Sequence, residues 1–135
     1  MPAVLADSSG NTVERVKTPY VVSIPYTASS ADVAQFVAPY ACRLSQITAR
    51  VTVAGTDGSA VTAVVKKAAS GTAIASGTAL SGSFDLKGTA NTNQTITLTT
   101  TLADLDIAAG TAVGLDFTGT LTSATGVVCL LISPI

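Results

Sequence analysis

Residues 36–67 decide the fold class, and they read FVAPYACRLSQITARVTVAGTDGSAVTAVVKK. Two runs of alternating apolar and polar residues flank residues 55–59, GTDGS. Alternation with a period of two, with β-branched side chains on one side, is typical of strands that bury one face. Gly readily adopts positive φ and Asp can hydrogen bond to its own backbone, so GTDGS favours a turn. We therefore predict a β-hairpin over residues 44–67, with a loop of more than two residues.

The first of these runs, residues 40–53, changes its alternation partway. Leu44 occupies an even position, whereas Ile47, Ala49 and Val51 occupy odd positions. A strand cannot move its apolar side chains to the other face unless one extra residue is inserted. We therefore predict a β-bulge near residues 45–46.

Alternation recurs along most of the remaining chain. Residues 20–26 alternate, and Pro25 predicts that this strand lies at a sheet edge or near its own end. Residues 31–38 fit either a two-turn helix capped by Ser30 or a strand that ends at Pro39, and we favour the strand. About eight short strands in all indicate an all-β sandwich or barrel. We predict an antiparallel β-sandwich that is jelly-roll-like, with an extended N-terminal arm.

The composition limits what the domain can bind. Charged residues make up 11% of the 135 residues, where about a quarter is usual, and the net charge is −1. Such a chain favours an assembly that hides part of its surface, although a soluble monomer with a Thr-rich surface is the alternative. No basic patch is present, so nucleic-acid binding is not expected. We also expect no membrane-spanning segment and no signal peptide, and hence synthesis in a cytoplasm.

The chain divides into two parts by its patterning. Residues 1–18 are polar and mostly unpatterned, which predicts an arm that becomes ordered on a partner, or alternatively a ragged terminus. Residues 19–135 carry the alternating runs and form the predicted sandwich domain. At this length a single domain buries a hydrophobic core without needing a disulfide framework.

The last strand is apolar at both parities. Residues 126–132 read GVVCLLI, which is typical of a strand covered on both faces. One face then belongs to the core, and the other is either a subunit contact or the crowded centre of a sheet. We assign the subunit contact to Val128, Leu130 and Ile132, while the set of Val127, Cys129 and Leu131 stays open as the alternative.

Residues able to carry chemistry are scarce. The chain has no histidine, which removes the usual general base and most zinc sites. Asp104 and Asp106 could share a calcium ion if extended, but no calcium-loop spacing surrounds them. Cys42 and Cys129 fit two buried free thiols, or a bridge if their strands face each other. We expect no enzyme activity, no metal and no cofactor.

Several turn and strand segments resemble those of known virion proteins. They are FVAPYACRL at 36–44, AGTDGSAVT at 54–62, Lys66 with Lys67, SGTA at 76–79, and LDIAAGTAVGLDFT at 105–118. Together they resemble small β-sandwich proteins of tailed bacteriophages, especially head decoration (cement) proteins. The match covers most of residues 36–132, and related sandwiches also occur in phage tail and fibre proteins.

The resemblance implies a structural role. Decoration proteins of this kind typically form trimers on the capsid exterior, clamp neighbouring major capsid subunits, and use an N-terminal arm to hold the shell. It thus implies a homotrimer that binds the major capsid protein, with Val13, Arg15, Val16 and Lys17 as expected capsid contacts. The alternative is a tail- or fibre-associated binding module that recognises a host surface glycan or protein; the scarcity of aromatic residues favours the decoration protein.

Overall fold

The computed structural model describes residues 3–6, 12–15, 18–29 and 35–135, and every strand pair it contains is antiparallel. Two five-stranded sheets pack face to face around one core, which confirms the predicted all-β sandwich. The strands are β1 (Ala3–Ala6), β2 (Thr12–Arg15), β3 (Tyr20–Tyr26), β4 (Gln35–Val37), β5 (Cys42–Val53), β6 (Thr62–Ala68), β7 (Thr78–Ala79), β8 (Phe84–Asp85), β9 (Asn93–Ile96), β10 (Asp106–Ile107), β11 (Ala112–Thr118) and β12 (Thr125–Pro134).

The strand order is that of a jelly roll. In the front sheet β3 pairs with β12, β12 with β5, and β5 with both β9 and β10. In the back sheet β4 pairs with β11, β11 with β6, and β6 with both β7 and β8. Strands β9 and β10 share one edge of the front sheet, and β7 and β8 share one edge of the back sheet. If each of these two pairs is counted as one strand position, each sheet has four positions, and the chain crosses between the sheets as it does in a jelly roll. The ten strands therefore fill the eight positions that the sequence predicts.

The predicted hairpin over residues 44–67 is wrong. Strand β5 lies in the front sheet and β6 in the back sheet, so the two strands face each other across the core and do not pair. Residues 54–61 cross from one sheet to the other, and this loop is fixed by backbone bonds such as the one from Thr56 N to Thr122 O at 3.0 Å. Alternation is the same in both arrangements, because each strand buries one face in either case.

The predicted β-bulge is confirmed at Ser45. Along β12, Leu131 pairs with Gln46 and the next residue, Ile132, pairs with Leu44, so Ser45 is the extra residue. Its hydroxyl donates a hydrogen bond to the Leu131 carbonyl oxygen at 3.0 Å. The insertion moves the buried side chains of β5 from even to odd positions. The edge position predicted for the strand containing Pro25 is also confirmed, since within the described residues β3 pairs only with β12.

The two faces of β12 are the reverse of our assignment. Val128, Leu130 and Ile132 are fully buried between the sheets, so they belong to the core of one chain and cannot contact another. The outward face carries the alternative set of Val127, Cys129 and Leu131, which are partly exposed. Both parities of this strand are apolar, and only the position of the back sheet decides which one is inside.

Part of the outer face of the back sheet is covered by the chain itself. Residues 69–77, which include a 3-10 helix at Ile74–Ser76, fold across β6 and β11. Lys66 links them, because its Nζ pairs with Asp116 Oδ2 at 2.8 Å and donates to the Ala75 carbonyl oxygen at 2.8 Å.

The N-terminal segment forms a sheet of its own. Within the described residues, strands β1 and β2 pair with each other and with neither sandwich sheet. Of the predicted capsid contacts, Val13 and Arg15 lie in β2, whereas Val16 and Lys17 lie outside the described residues. The division into an arm of residues 1–18 and a domain of residues 19–135 stays a prediction. Of residues 31–38, the described part forms β4, as favoured, and residues 31–34 lie outside it. Within the described ranges, no helix has the length and apolar character needed to cross a membrane.

Candidate interaction surfaces

One end of the sandwich, which we call the entry end, receives the chain at Thr18 and Pro19. It is formed by the start of β3, the loop of residues 38–41, the 3-10 helix Leu102–Leu105 and the turn at residues 108–111. These segments are bonded together, since Ala38 N donates to Thr111 O at 2.9 Å and Ile135 N donates to Ala41 O at 3.1 Å.

The entry end gathers exposed apolar side chains. Five large hydrophobic residues of the described chain are well exposed, and three of them lie here: Val37 at 62%, Leu102 at 74% and Ile135 at 52%. Val53, at 48%, lies at the opposite end of β5. Single exposed apolar residues are ordinary, but their concentration at one end indicates a contact surface.

A charged cluster borders this end. Arg43 forms a two-pronged pair with Asp106, with Nε to Oδ1 at 2.5 Å and Nη2 to Oδ2 at 3.0 Å. Lys67 Nζ donates to the backbone oxygen of Asp106 at 2.6 Å. The hydrogen bonds from Arg43 hold the pKa of Asp106 below its usual range. This carboxylate already has a cationic partner, and the described residues contain no group of three or more potential metal ligands around it or elsewhere.

The two cysteines lie on opposite sides of the front sheet. Cys42 is buried in the core on β5, where desolvation raises the pKa of its thiol, so the reactive thiolate is disfavoured. Cys129 is partly exposed on the outer face of β12, and its Sγ lies 3.6 Å from the Ser23 hydroxyl. Both thiols are free, so the predicted alternative of a bridge is wrong.

The outer face of the front sheet is the second candidate surface. Its centre is the row of Val127, Cys129 and Leu131 on β12, and Val21 on β3 stands beside it with 61% exposure. A hollow of about 140 Å³ lies around Cys129 and Leu131 and is lined by residues of β3, β12 and β5. A larger groove of about 410 Å³ lies on the β9 side, and its lining residues are Thr48, Ala49, Arg50, Asn93, Gln94, Thr95, Val127 and Cys129. We call it the front groove.

The front groove joins residues that are distant in sequence. Arg50 on β5 pairs in register with Asn93 on β9, and Arg50 Nη1 donates to Asn93 Oδ1 at 3.0 Å. Thr48 pairs with Thr95 two positions along. The sequence gives no sign of this groove, because the β5–β9 pairing spans more than forty residues and leaves no local pattern.

Comparisons with known proteins add no relative to this picture. No protein-family model matches the chain, and no curated protein matches it closely enough to count as a relative.

Proposed function

We propose that the chain is a structural virion protein that binds the outside of a tailed-phage capsid and stabilises the shell by clamping neighbouring major capsid subunits. The observation that carries the proposal is the set of exposed apolar residues at the entry end, from which the N-terminal segment departs. The resemblance to head decoration proteins and the jelly-roll strand order support it. A fold alone does not define a function, so the surface bears the weight of the argument.

The entry end suits a clamp in energetic terms. Complete burial of one Val, Leu or Ile side chain stabilises a contact by roughly 1.5–3 kcal/mol. Val37, Leu102 and Ile135 together supply a modest contact for each copy, and the segment of residues 1–18 adds a second one. Several modest contacts made at once by a linked oligomer bind far more tightly than any one of them. If the protein binds the expanded shell and not the unexpanded one, its binding stabilises the expanded shell by mass action.

The proposed assembly is a homotrimer located on the capsid exterior and made in the host cytoplasm, with no enzymatic step, cofactor or nucleic acid. The low charge of the chain favours such an assembly. Light scattering after size exclusion, with and without residues 1–18, tests this point. We expect a trimer in both cases, because the sandwich makes the oligomer and the segment grips the shell. A monomer at all concentrations contradicts the trimer.

Capsid binding is tested by co-sedimentation with expanded heads of the parent phage that were assembled without this protein. The test variant is Leu102→Ser combined with Val37→Ser, and the matched control is Val53→Ser at the opposite end of the sandwich. We expect the double variant to bind heads at least about tenfold more weakly, because two exposed side chains contribute about 1.4 kcal/mol or more between them. Equal binding of the double variant and the control contradicts a role for the entry end, and no binding by the unmodified protein contradicts the capsid role.

The front groove favours a second candidate, a tail- or fibre-associated module that recognises a host surface glycan or protein. A concave site with polar walls is what a receptor-binding module needs, whereas a clamp does not need it. The two candidates differ in what the protein sediments with, since a receptor-binding module binds host cells in the absence of heads. Sedimentation with intact host cells is therefore the matching experiment.

A further inference from the structure

We propose that the front groove is a binding site for a carboxylate-bearing sugar. The inference does not depend on the capsid role, and it specifies the ligand that the second candidate function would require. It rests on the shape of the groove, on the donors that line it and on its charge.

The shape fits a small ligand that lies flat on the sheet. Its volume of about 410 Å³ falls in the range of roughly 300–1,000 Å³ that small-molecule sites occupy. Val127 and Cys129 of β12 line one side of the groove with apolar surface, which we call its floor, and the exposed pair of Arg50 and Asn93, in register with Val127, supplies the polar wall. The ring of a sugar has an apolar C–H face that can cover such a floor, and its hydroxyl groups point sideways, toward walls like these.

The hydrogen bond between Arg50 and Asn93 determines which groups face a ligand. Asn93 Oδ1 accepts from Arg50 Nη1, which uses one of the two lone pairs of the amide oxygen and turns that oxygen toward Arg50, and the two N–H groups of the amide remain as donors. The guanidinium of Arg50 has five N–H groups, and within the described residues one hydrogen bond uses them. The wall is therefore rich in hydrogen-bond donors, and a ligand rich in hydrogen-bond acceptors would complement it. The hydroxyls of Thr48 and Thr95 can donate or accept, as sugar hydroxyls require.

The charge of the groove selects an anion. Arg50 is its one charged residue, and among the described residues that line it there is no carboxylate. A guanidinium recognises a carboxylate through two parallel hydrogen bonds, which gives it geometric specificity as well as attraction. An acidic sugar combines this carboxylate with the apolar face and the hydroxyl groups that the floor and the two threonines match.

The probes are D-glucuronate and N-acetylneuraminate, with glucose as the uncharged control. Binding to the full chain is followed by NMR chemical shifts of the backbone amides and by the rate at which a disulfide reagent modifies Cys129. Cys129 lies on the groove floor and is partly exposed, so a bound sugar slows its modification. Cys42 is buried on the other side of the same sheet, so it stays unmodified as long as the chain is folded and serves as the control for unfolding.

Two arginine variants on one strand provide the matched comparison. Arg50→Gln removes the groove cation, whereas Arg43→Gln removes an equal charge from β5 outside the groove. We expect millimolar, saturable binding of at least one acidic sugar, at least tenfold weaker binding by Arg50→Gln, unchanged binding by Arg43→Gln, and no binding of glucose.

Three results would overturn the inference. The first is the lack of any saturable shift at groove residues with either acidic sugar. The second is an equal loss of binding in both arginine variants, which reports general attraction of anions and no site. The third is protection of Cys129 in the oligomer without any sugar, which assigns the face to a subunit contact. Each result leaves the head-binding experiment unaffected, so failure of the groove and failure of the capsid role can be told apart.

Discussion

Replacing Gly126 by alanine tests the packing that positions the front groove. Gly126 lies on β12 between β3 and β5, and a Cβ atom added there would stand 2.5 Å from the Tyr26 hydroxyl. It would stand closer still to the carbonyl oxygen of Arg50, the residue whose side chain forms the wall of the groove. Neither neighbour can easily move, because the carbonyl belongs to the strand backbone and Tyr26 is 1% exposed.

The expected cost follows from these contacts. Adding a methyl group to a well-packed site costs about 1–3 kcal/mol, and a backbone neighbour places this site in the upper part of that range. The lower entropy of alanine in the unfolded chain returns about 0.4–1 kcal/mol. We therefore expect a net loss of about 2 kcal/mol in the free energy of unfolding. For a domain of this size that corresponds to a fall of about 7 °C in Tm.

The assay is urea and thermal unfolding followed by circular dichroism, with Gly58→Ala as the control. A Cβ atom added at Gly58 would meet no other atom within 4 Å, so this replacement leaves stability within about 0.5 kcal/mol of the parent. A Gly126→Ala variant that is as stable as Gly58→Ala refutes the close approach of β12 to β5 and β3 at this point.

The remaining predictions concern titratable groups. Burial raises the pKa of Tyr26 to about 12, so its neutral form contributes stability that is complete below pH 10 and is lost as the pH rises through 12. The Tyr26→Phe variant should abolish this loss. It also removes a buried hydroxyl without a partner among the described residues, so urea unfolding at neutral pH should show a gain of up to about 1 kcal/mol in the free energy of unfolding. The hydrogen bonds from Arg43 lower the pKa of Asp106, so the stability that the ionised Asp106 carboxylate contributes is lost as the pH falls through that depressed pKa. An NMR titration of the Arg43→Gln variant should show the Asp106 pKa moving up toward its usual value. In the native protein one thiol, Cys129, should react with a disulfide reagent, and Cys42 should react only after unfolding; equal reactivity of both would contradict their placement on opposite faces.

The features that the sequence predicted correctly are local ones. A change of parity between Leu44 and Ile47 requires an extra residue wherever the strand lies, so the bulge at Ser45 could be predicted without knowing its partner. Pro25 lacks a donor and is excluded from the centre of a sheet, so the edge position of β3 could be predicted in the same way.

The features that were missed depend on partners distant in sequence. The alternation of β5 and β6 is equally consistent with a hairpin and with two strands that face each other across a core. The outer and inner faces of β12 are equally apolar, so the back sheet, and not the strand itself, decides that Val128 is inside and Cys129 outside. The front groove exists only because β5 pairs with β9, and neither Arg50 nor Asn93 has a neighbour in sequence that indicates the other.

The position of β12 has a consequence for synthesis of the protein. It is the last strand of the sandwich, yet it lies between β3 and β5, both of which are made much earlier. Until β12 leaves the ribosome, these two strands have no common partner, and their unpaired edges are open to other chains. Pairing of segments so far apart is slow, because the intervening loop must close before any contact forms. Strand β11 precedes β12 in the chain and pairs with β6, so we expect the back sheet to assemble first and to offer the surface on which the last strand completes the front sheet.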